Sequence, residues 1–125
     1  MSKQVFDDLF TRYTAAVTAT DIDAIVGIYA PRAKIEIPVG GPVHEGIDAI
    51  DRFYRDNELA ESLAVAGPVC VAGREAAVPL LANVRRDGRL LELDVIDVAE
   101  IDGEGRVLSM RAFFDLEGAR ILEGG

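Results

Sequence analysis

Cysteine and histidine each occur once in these 125 residues, as Cys70 and His44, and tryptophan does not occur at all. A lone cysteine cannot close an internal disulfide, which fits a reducing, cytoplasmic setting. So few sulfur and imidazole groups also argue against a zinc site. No apolar run approaches the ~18 residues that a membrane-spanning helix needs. The opening Met-Ser-Lys-Gln-Val-Phe-Asp-Asp is acidic and amphipathic, so it does not read as a secretory signal.

Basic charge is in short supply. Thirteen Lys and Arg face 22 Asp and Glu, for a net charge of −9. A field of that sign repels phosphate backbones and anionic lipid, so neither nucleic acid nor a membrane surface is an expected partner. The glycine-rich dinucleotide fingerprint, the phosphate-binding loop and the Gly-x-Ser-x-Gly elbow are all missing, and with them most standard cofactor chemistry. What is present is the composition of one globular domain spanning residues 1–125, half hydrophobic and 28% charged.

The first third of the chain has helical spacing. Val5, Leu9, Phe10, Tyr13, Ala16 and Val17 form one apolar stripe over about residues 3–18. Asp21 is placed to cap a second helix carrying Ile22, Ile25, Val26 and Tyr29, which must stop before Pro31. A third helix is expected from Ile47 to Glu58, burying Ile47, Ile50, Phe53 and Tyr54. Between the second and third, Ala33 to Pro38 alternates as a strand, with Ala33, Ile35 and Ile37 on one face and Lys34 and Glu36 on the other. Beyond residue 66 strands take over: Pro68–Ala72, Ala76–Arg86, Arg89–Ile101 and Arg106–Phe114. Asp87-Gly88 and Asp102-Gly-Glu-Gly105 supply tight turns between them. Helices followed by an antiparallel meander predict an α+β fold, a curved sheet packed on three N-terminal helices.

The strand Arg89–Ile101 carries the most chemical information. One face reads Leu91, Leu93, Val95, Asp97, Ala99, Ile101, a single carboxylate among five apolar side chains. Asp97 is therefore expected in an apolar interior, where ionisation is disfavoured and the pKa rises. A carboxylic acid kept neutral can donate a hydrogen bond to a developing oxyanion; an internal arginine partner for a purely structural acid is the alternative. The three tyrosines, Tyr13, Tyr29 and Tyr54, each fall on the apolar stripe of a different expected helix. They are either amphipathic core fillers or hydroxyls hydrogen-bonded in series, each polarising the next.

Six stretches carry a resemblance: Arg12-Tyr-Thr-Ala-Ala16, Asp21-Ile-Asp-Ala-Ile-Val26, Glu36-Ile-Pro-Val-Gly40, Phe53-Tyr-Arg55, Leu93-Asp-Val-Ile-Asp-Val98 and Gly105-Arg-Val-Leu-Ser-Met-Arg-Ala112. In this order and spacing, over nearly the whole chain, the sequence resembles the bacterial ketosteroid isomerases (steroid Δ5-3-ketoisomerases) within the NTF2-like, SnoaL-like cone fold. The resemblance implies a homodimer formed through the sheet, an apolar pocket for a steroid-like or polyketide-like ligand, and no cofactor. It implies an oxyanion hole of Tyr13 and Asp97, with Tyr29 and Tyr54 buttressing Tyr13; a neutral acid in that role is a known property of ketosteroid isomerase. The steroid-cavity positions it implies are Ile37, Phe53, Val65, Val78, Leu80, Ala82, Val84 and Phe114.

At one position the match breaks. The family's proton-shuttling base is an aspartate in a Glu-Asp-Pro context, and this chain has Glu36-Ile37-Pro38. Isoleucine moves no proton, so a 1,3-proton shift loses the group that removes and returns it. Glu36 faces away by parity unless a bulge turns it in. Glu58 and Glu61, at or just beyond the end of the third helix, lie toward the expected pocket mouth, as does Asp115. Asp94 is on the wrong face, His44 sits in an exposed loop, and Cys70 reads as a core or interface filler. Three functions stay open: an isomerase-like enzyme or a diverged cyclase or dehydratase, a non-catalytic binder of a ring ketone or phenol, and a structural module acting through its sheet.

Overall fold

The computed structural model describes residues 2–124. Helix α1 spans Lys3–Thr18 and buries Phe6, Leu9, Phe10, Tyr13, Thr14, Ala16 and Val17. Phe6, not Val5, opens the buried stripe; Val5 is half-buried at its edge. Helix α2 is short, Ile22–Val26, and the Asp21 side chain caps it by accepting from the Ala24 N–H at 3.2 Å. It ends before Gly27, and Tyr29 does not extend it. Tyr29 instead begins strand β1, Tyr29–Glu36. The proline at position 31 forces extended backbone on the residue before it, so the chain leaves the helix early.

Strand β2, Val43–Glu45, pairs antiparallel with β1 in a stretch expected to be loop. Helix α3 covers Ile47–Asp56, two residues shorter than expected, and buries Ile50 and Tyr54 while Ile47 and Phe53 are only half covered. Strands β3 (Ser62–Val65) and β4 (Cys70–Ala72) follow. Strands β5 (Glu75–Arg86), β6 (Arg89–Ile101) and β7 (Val107–Phe113) come next, and β8 (Arg120–Glu123) closes the chain after a 3-10 turn at Leu116–Gly118. Periodicity gave no sign of β2, β3 or β8, which are three or four residues long, too short to show alternation.

The sheet runs β2-β1-β7-β6-β5-β3, with β4 also on β5 and β8 also on β6. All pairs are antiparallel except β1 with β7, which makes the sheet mixed. β5 and β6 pair along their whole length around a hairpin at Asp87-Gly88, both residues having positive φ (52° and 76°). That is the backbone of a tight primed turn, and it fixes the register of every inward side chain on both strands. On β6 the inward row contains Leu93, Val95, Asp97, Ala99 and Ile101, all buried. The curved sheet, not closed into a barrel, packs its inner face on the three helices as an α+β cone. No helix among the described residues is long and apolar enough to cross a membrane.

Candidate functional site

Asp97 lies on β6 opposite Val78 of β5 and Ala112 of β7. It is 3% exposed, the one buried carboxyl group among the described residues. Burial pushes its carboxyl up to about 7. No basic group or hydrogen bond pulls it back, so it is poised between neutral and charged near pH 7.

Tyr13 comes from α1, Tyr29 from β1 and Tyr54 from α3. The Tyr29 and Tyr54 hydroxyls are 2.6 Å apart, and those of Tyr54 and Tyr13 are 3.1 Å apart. Desolvation raises all three phenols well above the usual 10, and the Asp97 charge adds to the rise in each. All three therefore keep their protons at neutral pH. Three protons serve two hydrogen bonds, so one is left over. Tyr29 does not reach the cavity described next, and an unpaired proton there would be a buried, unsatisfied donor. With Tyr29 donating to Tyr54 and Tyr54 to Tyr13, head-to-tail polarisation leaves the spare proton on Tyr13, which lines the cavity.

Tyr13, Tyr54 and Asp97 line a cavity of about 500 Å³. Its wall includes Ile37, Phe53, Leu80, Ala82, Val84 and Phe114, as the resemblance implies. Two expected lining residues are elsewhere. Val65 is 43% exposed on β3, and Val78 is fully buried behind Asp97 in the core. Sequence reasoning missed Leu59, Ala60, Leu63, Ala112 and Leu116 of the wall, and Asn57 and Arg86. Arg86 had a signal, because it shares the parity of Val84 on β5; Leu116 sits in a 3-10 turn with no period to read.

Each candidate for a relocated base has a definite place. Ile37 stands in the wall with its apolar side chain. Glu36 faces the other way: its carboxylate accepts from the Gly40 N–H and from Arg111 Nε, both at 3.1 Å, which holds its pKa below the usual range. Glu61 pairs with Arg85 at 2.8 Å and does not line the cavity. Asp94 is held by both terminal nitrogens of Arg120, on the outer face. Glu58 and Asp115 do line the cavity. Asp115 accepts from the Glu117 N–H, and Glu58 is 3.9 Å from Arg86. His44 is not the exposed loop residue expected; it is half-buried on β2, its ring 5.0 Å from that of Phe53. Cys70 is no core filler, since edge strand β4 leaves it exposed.

Comparison with known proteins agrees with this fold. The SnoaL-like domain model matches residues 10–123. A steroid Delta-isomerase of Nocardioides simplex is 34% identical over 110 residues, covering 82% of this chain and 84% of the relative. Among solved structures, the epoxide hydrolase/cyclase-like enzyme SalBIII, described for pyran ring formation in the polyether salinomycin, superposes with a TM-score of 0.84. It is 28% identical, over 96% of this chain and 98% of its own. A cone-shaped α+β fold, a family match over nearly the whole length and an isomerase relative at this identity lead to one conclusion: the chain belongs to the SnoaL-like family of the NTF2-like fold.

Proposed function

We propose that this protein is a ketosteroid-isomerase-like enzyme that polarises the carbonyl oxygen of an apolar ring ketone. The observation that carries the reading is a buried phenol at the end of a hydroxyl chain and a buried acid, Asp97, lining one largely apolar cavity. Tyr13 donates to the ketone oxygen, and Asp97 donates beside it in its neutral form. Negative charge developing on that oxygen favours the proton on Asp97, so the acid stays neutral when it is needed. Tyr29 and Tyr54 act through Tyr13 as positioning residues. A volume of about 500 Å³ suits a small fused-ring ligand, within the range of ordinary binding pockets.

A stereospecific 1,3-proton shift also needs a base over the ring, and Ile37 stands where the family carries it. Steroid isomerisation by this chain is therefore slow, with water or a rim carboxylate taking the proton. The test is conjugation of a β,γ-unsaturated 3-ketosteroid, followed in the ultraviolet at high protein concentration. Turnover above background that Tyr13→Phe with Asp97→Asn removes is the expected result. Turnover that survives the double substitution would sink the assignment.

The outer sheet face supports a homodimer. Ile96 and Phe113 face each other in register there, 42% and 40% exposed, a pairing of apolar side chains that a second copy would cover.

A further inference from the structure

The inward-facing row of β5 runs Ala76, Val78, Leu80, Ala82, Val84 and then Arg86, an apolar file ending in a guanidinium. Among the described residues, Arg86 is the one basic side chain that lines the cavity. It stands at the opposite end from the donor pair. Asp97 is in register with Val78, eight residues before Arg86, or about 26 Å of strand at ~3.3 Å per residue. Tyr13, Asp97 and Arg86 nonetheless line one and the same cavity, so a ligand that spans it can meet both ends.

Arg86 is also weakly engaged. Its Nη1 donates to the Arg85 carbonyl at 3.0 Å, and its contact with Glu58 is 3.9 Å, longer than a hydrogen bond. Of the acids in the lining, Glu58 is 71% exposed, Asp115 accepts from the Glu117 N–H, and Asp97 is the buried acid of the donor pair. A guanidinium with most of its donors unspent matches a carboxylate in bidentate geometry better than any other common group.

We propose that the ligand is a fused-ring ketone bearing a carboxylate at the end far from its carbonyl, with Arg86 holding that carboxylate. This rests on the ketone reading above, which places the carbonyl at Tyr13. The net charge of −9 gives anions no general attraction, so selectivity for an acid must come from this one contact.

The experiment measures binding of three probes by calorimetry: a 3-ketosteroid without a side chain, one with a C17 side-chain carboxylic acid, and the methyl ester of that acid. The acid is expected to bind at least tenfold more tightly than its ester, less so at high salt. Arg86→Gln should bring the ratio near one, and Arg86→Lys should retain part of it. An acid and ester of equal affinity in the unsubstituted protein overturn the proposal without any variant. So does a preference for the acid that persists in Arg86→Gln. If affinity for the side-chain-free ketone is indifferent to Tyr13→Phe and Asp97→Asn, the carbonyl assignment fails instead, and the acid-to-ester ratio still reports on Arg86. Absence of binding by all three probes rejects both.

Discussion

Asp97 releases its proton near 3.8 in the unfolded chain and near 7 in the folded one. Between those values the folded state holds one more proton than the unfolded state. Its contribution to stability is therefore full at low pH and falls as pH rises through that window. At about 1.4 kcal/mol per pH unit the loss is at most about 4 kcal/mol. Asp97→Asn removes the loss. Urea melts should show the variant more stable than the unsubstituted protein at pH 8, with the difference gone by pH 4. Glu36, Asp94 and Asp102 have lowered pKa values and respond oppositely, but they are common to both proteins and cancel. Equal stabilities at pH 8 would mean that the acid is not held in an apolar site. The same titration sets ligand affinity, since only neutral Asp97 donates: a ring ketone should bind less tightly as pH rises above 7.

Strand β1 decides the chemistry at the scale of an element. Its alternation puts Ala33 and Ile35 in the core and Glu36 outward, in an ion pair with Arg111 of the neighbouring β7. Position 37 comes next on the inward side and lines the cavity half-buried. A carboxylate introduced there meets both the ligand and water, so Ile37→Asp should fold. It should raise the rate of steroid isomerisation by about 10²–10⁴-fold, the usual worth of a positioned base. The conjugation assay measures it directly; no gain would show that the substrate ring does not lie over β1. Glu36→Asp at the adjacent position has no such effect, because that side chain points away from the cavity.

For the whole molecule, the exposed Ile96–Phe113 pair on the outer sheet face predicts a dimer. Sedimentation should give twice the chain mass, and Ile96→Lys should shift it toward monomer, a charge at the centre of the face being costly to bury. A monomeric unsubstituted protein at micromolar concentration counts against that interface. Much of the fold could be read from the residues alone. α1, the Asp21 cap, the Asp87-Gly88 turn, the bounds of β6 and the inward direction of Asp97 all follow from period, capping and turn chemistry, which are local. Tyr29 opens a strand and does not extend the expected helix, because a helix stripe and the start of a strand look alike over four residues. Sequence also determined what is missing at position 37. Only the tertiary structure decided that the three phenols join hydroxyl to hydroxyl, that Val65 and Val78 stay outside the cavity, and that Arg86 lines it. Those facts depend on sheet curvature and on how α1 and α3 seat against it, and packing between elements distant in the chain leaves no trace in any single stretch.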